Sequence, residues 1–142
     1  NLHPSVLYDI GLLSAIRSIC REVQAVREGI RIQTRLEIRE EEVEKSLGIV
    51  IYRILQEALN NALKHSGADT VDVRLTGLDG FLELCIRDNG QGFDTKDHPA
   101  QGNQGKRIGL ISMKERAELS NGTFEIQSKE GGGTTILVRW AY

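Results

Sequence analysis

Residues 81–93 read FLELCIRDNGQGF. Leu82, Leu84 and Ile86 alternate with Glu83, Cys85 and Arg87, which is the spacing of a strand with one buried face. Asp88 keeps the parity of the apolar set, so its carboxylate is aimed inward at the strand's end. A carboxylate turned toward a core is costly unless hydrogen-bond donors meet it. Asn89-Gly90 is a common tight-turn signal, and a plain turn is the simplest reading. A turn alone does not account for the inward acid or for the second glycine at 92. A ligand carrying an N–H donor, such as the exocyclic amino group of a purine, accounts for the acid. Gly90 and Gly92 would let the backbone come close to a planar base.

Working outward, TVDVRLTG (70–77) carries Val71, Val73 and Leu75 on one face, and GLDG (77–80) joins it to the 81–88 strand as a hairpin. IRIQTRLEI (30–38) alternates in the same way, with Ile30, Ile32, Leu36 and Ile38 on one side. TFEIQS (123–128) and TTILVRW (134–140) form a last hairpin across KEGGG (129–133). Three stretches have helical spacing instead. The first, 5–29, carries Leu12, Ala15, Ile16, Ile19 and Val23 and stops at Gly29. The second, 41–67, has acids in its expected first turn and Gly67 past its end. The third, IGLISMKERAELSNG (108–122), is short. Between Asn89 and Arg107 the chain has glycines, a proline and little to bury, which marks a functional lid or a disordered loop. The order predicts an α+β domain over residues 1–142, with 1–29 as a lead-in helix and 89–107 as a lid. Every strand alternates, so the sheet should have one wet face and one face covered by helices.

The bulk numbers exclude several classes. With 142 residues, 39% hydrophobic and 27% charged, the chain can build one core. A net charge of −2 provides no global basic field, so no direct nucleic-acid partner is expected. The longest apolar run, GIVIY (48–52), is too short to cross a bilayer. Cys20 and Cys85 form no CxxC knuckle and read as buried free thiols in a reducing, cytoplasmic compartment. An opening at Asn1 without Met suggests a fragment, which leaves any membrane anchor of the parent open.

Other stretches carry candidate chemistry. In RILQEALNNALKHS (53–66), Ile54, Leu55, Ala58, Leu59 and Ala62 share one side, while Arg53, Glu57, Asn61 and Lys64 share the other. That polar side is either a solvated face with a Glu57–Asn61 pair or a Mg-phosphate site. An Asn carbonyl is a hard oxygen ligand suited to Mg²⁺. A carboxylate one turn away can act as a base, and a Lys can neutralise phosphate. His65 is either a partner of the helix dipole or a phosphate or ribose contact. Gly102, Gly105 and Gly109 precede a helix start, which is a ready anion site or a plain linker. Thr134 in GGGTT shares parity with Ile136 and Val138, so its hydroxyl faces inward as Asp88 does.

Together the stretches read E-x-x-x-N-x-x-K-H, D-x-G-x-G, G-L-x-S-M-x-E-R and G-x-G-T, in that order. The set resembles the ATP-binding domain of sensor histidine kinases, in the superfamily shared with gyrase, heat-shock chaperone and mismatch-repair ATPases. QEALNNALKHSGA looks like its N box, and DNGQGF, IGLISMKERA and EGGGTTILV like its three glycine boxes. HPSVLYDIGLLSAI looks like the lead-in of the nitrate-sensor subfamily, whose response regulators carry helix-turn-helix output domains. The resemblance covers essentially the whole chain. It implies a two-layer α/β sandwich with a mixed, mostly antiparallel sheet and an ATP lid.

The resemblance also implies that Asn61 binds Mg²⁺ and Glu57 acts as base. Lys64 and His65 would lie near the phosphates or ribose of ATP. Asp88 would accept from the adenine amino group with support from Thr134. Gly90, Gly92, Gly105, Gly109 and Leu110 would shape the adenine pocket and lid. The implied partners are a dimerisation domain carrying the phosphoacceptor His and, downstream, the response regulator. The domain alone is expected to be monomeric and the parent homodimeric. His3, His65 and His98 all lie outside a phosphoacceptor motif, so this is the catalytic half without its substrate half. A serine kinase of the anti-sigma-factor type and a nucleotide-binding regulatory module without chemistry are the alternatives.

Overall fold

The computed structural model describes residues 7, 9–64, 67–94 and 104–141, the side chains of Gln104 and Lys106 excepted. Five strands form one sheet: β1 (Arg31–Glu37), β2 (Thr70–Leu78), β3 (Phe81–Asp88), β4 (Gly122–Ser128) and β5 (Thr134–Ala141). Their spatial order is β1-β2-β3-β5-β4. β1 runs parallel to β2, and every other pair is antiparallel. The parallel pair needs a crossover. Helix α2 (Lys45–Lys64) supplies it, lying between β1 and β2 in the chain. The two hairpins turn where glycine permits a left-handed backbone, at Gly80 (φ 83°) and at Gly131 and Gly133 (φ 77° and 73°).

Three helices, α1 (Leu12–Val26), α2 and α3 (Gln104–Leu119), form the second layer. They touch the sheet at β1, β3 and β4 respectively. Burial follows the alternation: Val71, Val73, Leu75, Leu82, Leu84, Ile86, Ile136, Val138 and Trp140 are buried beneath the helices. Asp72, Arg74, Arg87 and Arg139 stand on the opposite, wet face. On α2 the apolar side expected from spacing is the buried one, with Ile51, Ile54, Leu55, Ala58, Leu59 and Ala62 all inside. This is the expected α+β sandwich with a mixed, mostly antiparallel sheet, its parallel pair being β1 and β2.

Several boundaries differ from the sequence reading, each for a local reason. The lead-in is not one helix across 5–29. Gly11 breaks it at φ 84°, and the Glu40 carboxylate accepts from Leu12 N (2.8 Å) and Leu13 N (2.9 Å), capping α1 from a distant part of the chain. A Cβ at Gly11 would sit 3.0 Å from the Glu40 carboxyl carbon. The acids Glu40–Glu42 form a 3-10 turn, closed by the Glu42 carboxylate, which accepts from Arg39 N (3.2 Å) and Arg39 Nε (3.0 Å), so α2 starts later and has no acid in its first turn. α3 starts at Gln104, which puts Gly105 in a helical turn instead of the lid loop. Cys20 is buried as expected; Cys85 is half-buried on the wet face, because it has the parity opposite to Leu84 and Ile86. Burial pushes the Cys20 thiol up to about 12.

Candidate functional site

The sheet's inner face changes chemistry at one end. Asp88 of β3 lies opposite Thr134 of β5, and Thr134 lies opposite Ser128 of β4. One step inward, the same strands present Ile86, Ile136 and Ile126. Above this end α2 offers small side chains, Ala58 and then Asn61, where Leu55 filled the core one turn earlier. A small cavity of about 10 Å³ results, lined by Ala58, Asn61, Ile86, Asp88, Leu110, Thr134 and Ile136. That is room for about one water.

Asn61 is the outlier among these residues. It is 6% exposed, and among the described residues neither its carbonyl oxygen Oδ1 nor its amide nitrogen Nδ2 has a hydrogen-bond partner. A buried, unpaired amide costs about 1–3 kcal/mol. It sits one turn after Glu57 on α2, and both approach α3 at Gly109, which is buried. A Cβ on Gly109 would fall on Glu57 Oε1 and lie 3.2 Å from Asn61 Nδ2. The second glycine box is therefore glycine at 109 because α3 rests directly on the polar side of α2.

The loop after β3 is held by both of its neighbours. Gly90 N donates to Asp88 Oδ1 (2.9 Å), an Asx-type turn, so Asp88 both shapes the turn and lines the cavity. Asn89 Oδ1 accepts from Asp69 N and Thr70 N, and Asn89 Nδ2 donates to Asp69 Oδ1 (2.6 Å). The bonds from Asn89 and Thr70 hold the Asp69 carboxyl below its ordinary value. On the other side, Gly131 N donates to Gln91 O (2.5 Å) and Phe93 N donates to Ser128 Oγ (2.9 Å). Gly92, at φ 65°, lets the loop pass the β4–β5 hairpin; a Cβ there would overlap Lys129 O and lie 2.8 Å from Gly133 O.

The structure brings together Asn61, Asp88, Thr134 and Leu110 around the cavity, with Glu57 and Gly109 beside it and Gly90 and Gly92 in the loop behind. Lys64 is exposed in the last turn of α2, and Gly105 is exposed in the first turn of α3; neither lines the cavity. His65 lies outside the described residues, as do His3 and His98 and the lid positions 95–103. Sequence reasoning missed Ser128 and the clamp role of Asn89. Ser128 was within reach of the parity argument, since it continues Phe124 and Ile126 on the inner face of β4. Arg27 was also missed: it donates to Leu63 O (2.6 Å) and ties α1 to the carbonyl end of α2.

Residues 47–141 match the family described as histidine kinase-, DNA gyrase B-, and HSP90-like ATPase. The chain belongs to that family. All the residues that line the cavity fall within the matched stretch. Among curated relatives, it is 34% identical over 138 residues to the signal transduction histidine-protein kinase/phosphatase DegS of Bacillus subtilis, covering 96% of this chain and 35% of that protein. It is 36% identical over 137 residues to the oxygen sensor histidine kinase NreB of Staphylococcus carnosus, covering 96% of this chain and 38% of that one. The chain thus spans little more than a third of these relatives. The histidine kinase domain of the blue-light activated histidine kinase of Erythrobacter litoralis superposes with a TM-score of 0.73 at 22% identity, covering 93% of this chain and 61% of that one. The mycobacterial sensor histidine kinase MprB superposes at 0.67 and 22% identity, covering 93% and 95%. At that identity the superpositions speak for the fold. No helix among the described residues of this ATPase-family chain is long and apolar enough to cross a membrane.

Proposed function

We propose that the chain is the ATP-binding catalytic domain of a sensor histidine kinase. It holds Mg-ATP between α2 and the β3–β5 end of the sheet and passes the γ-phosphoryl group to a His on a dimerisation domain. An aspartate on a response regulator, one with a helix-turn-helix output, then receives the group. The observation that carries this reading is Asn61, whose buried amide is orphaned across the same small cavity from Asp88 and Thr134.

In this reading Asp88 accepts the 6-amino hydrogen of adenine and Thr134 supports that contact. Leu110, Ala58, Ile86 and Ile136 hold the ring by apolar contact. Gly90, Gly92, Gly105 and Gly109 keep backbone close to the nucleotide, and Lys64 and His65 serve its phosphates. Asn61 Oδ1 is a hard oxygen donor and fits Mg²⁺, which takes few protein ligands and completes its shell with phosphate and water. Such an ion would arrive with the nucleotide, whose phosphates supply its other oxygens. Bound there, Mg²⁺ would neutralise phosphate charge. Glu57, one turn from Asn61, orients or deprotonates the acceptor. Catalysis is otherwise positioning. The domain works in the cytoplasm as a monomeric unit of a homodimeric parent.

Isothermal titration of the 142-residue chain with Mg-ATP, followed by phosphotransfer to a supplied acceptor domain, tests this. Asp88→Asn should abolish binding; Glu57→Ala should spare binding and slow transfer. A parent chain without Mg-ATP affinity refutes the reading. Acid-stable phosphate on the acceptor refutes histidine as its target.

A further inference from the structure

Ser128 has no part in the proposed chemistry, yet its hydroxyl joins the pieces of the site. Ser128 Oγ lies 2.9 Å from Phe93 N in the loop after β3, 3.1 Å from Gly133 O in the hairpin, and 2.8 Å from Thr134 Oγ1. It sits at the end of the cross-strand row that runs through Thr134 to Asp88. A hydroxyl has one proton to give and two lone pairs to offer. Phe93 N–H can only donate, so it takes one lone pair. The Gly133 carbonyl can only accept, so it takes the proton. One lone pair is left for Thr134, and Thr134 must donate into it. The reverse arrangement, with Ser128 donating to Thr134, leaves the Gly133 carbonyl facing an oxygen with no proton. Only the first arrangement makes all three contacts hydrogen bonds.

We propose that Ser128 is a positioning residue for base selection: it draws the Thr134 proton away from the cavity, so that Thr134 meets a bound base as an acceptor beside the Asp88 carboxylate. The inference rests on the nucleotide reading of the cavity and sharpens it. A floor of acceptors matches a 6-amino purine, whose exocyclic N–H bonds point outward. A 6-oxo purine can give its N1–H to the Asp88 carboxylate, but it then sets its carbonyl oxygen against the lone pairs of Thr134. Selectivity of this kind comes as much from the repulsive contact as from the attractive one. With Ser128 removed, the Thr134 hydroxyl is free to turn and donate to a carbonyl, and the opposition softens.

The test is titration of the 142-residue chain and its variants with Mg-ATP and with Mg-inosine triphosphate, whose base has a 6-oxo group and an N1–H in place of the 6-amino group and bare N1 of adenine. The parent should favour ATP. Ser128→Ala should lower the ATP preference on the order of tenfold, the size of one hydrogen bond. Ser128→Thr, which keeps the hydroxyl, should retain the parent's preference. Thr134→Val has no hydroxyl to orient and should lower the preference too, which keeps the proposal testable if Ser128→Ala fails to melt cooperatively. Equal weakening of both nucleotides by Ser128→Ala, an unchanged preference in Thr134→Val, or a parent without ATP preference overturns the role of Ser128. A parent that binds neither nucleotide overturns the nucleotide reading itself.

Discussion

Replacing Asn61 by leucine should make the nucleotide-free protein more stable while removing its function. Leucine has the same four side-chain heavy atoms in the same forked shape, so the packing around α2 is nearly preserved. The change removes two buried polar atoms that have no partners. Leaving such a group unpaired costs about 1–3 kcal/mol, and its apolar replacement recovers that. The slightly larger methyl groups press against the adjoining cavity of about 10 Å³, and overpacking returns less than about 1.5 kcal/mol for a shape-conserving exchange. Taken at mid-range, the net gain is about 1 kcal/mol, which raises the melting temperature of a domain this size by roughly 3–5 °C.

With Mg-ATP present the order should reverse. At about a hundredfold excess over Kd the parent gains about 2.7 kcal/mol from ligand binding, and the variant, lacking the proposed Mg²⁺ ligand, should gain almost none. Thermal melts of both proteins with and without Mg-ATP therefore cross. If Asn61→Leu melts lower than the parent without nucleotide, Asn61 is satisfied in the folded protein. The reasoning from its orphaned amide is then refuted.

Gly109→Ala places a methyl group on the Glu57 carboxylate; Glu57 can swing aside, so stability should fall by less than about 1 kcal/mol, while phosphotransfer to a supplied acceptor domain falls about tenfold or more. Ser120→Ala strips the acceptor 2.8 Å from the indole N–H of Trp140, which is 2% exposed; the buried donor left behind costs about 1–3 kcal/mol, read by urea unfolding through the fluorescence of this sole tryptophan. The raised Cys20 thiol predicts alkaline sensitivity. The unfolded chain loses that proton near about pH 8.5, whereas the folded chain keeps it to about 12. The stabilisation is therefore whole below the unfolded value and declines as pH rises, by up to ~1.4 kcal/mol per unit. Cys20→Ala should flatten the fall of melting temperature between pH 9 and 11.

The strands were legible because one face of each is buried, and period-two alternation states that in the sequence itself. The same parity aims Asp88 and Thr134 inward from the sequence alone. Element ends were less legible, because their causes lie far away in the chain or lack a pattern. Apolar spacing runs straight across Gly11, and the break there depends on a carboxylate from Glu40. The first turn of α3 is polar and carries a glycine, so nothing periodic announces it. Lys64 follows Asn61 in the motif, but its place at the end of α2 leaves it exposed. Ser128 carries no sequence signal beyond its parity, because its three partners come from the loop after β3 and from the hairpin, up to 35 residues away.

The position of the site follows from where the chain stops building a core. Along β3 the inward positions run Leu82, Leu84, Ile86, Asp88, and along β5 they run Trp140, Val138, Ile136, Thr134. Parity is unbroken, but the last member of each series is polar. At the same level α2 gives up Leu55 for Ala58 and then Asn61. Apolar side chains of similar size at the three polar positions would strengthen the core by removing the unpaired amide and the inward carboxylate and hydroxyl. A fold selected for stability alone would make that exchange. Keeping Asn61, Asp88 and Thr134 forgoes it at one defined place, and the loop and hairpin hydrogen bonds through Asn89, Gln91 and Ser128 then hold that place rigid. Local departures of this kind, compensated by the surrounding structure, are where function is expected. Here the departure points to the same residues as the family resemblance, from stability considerations that make no use of it.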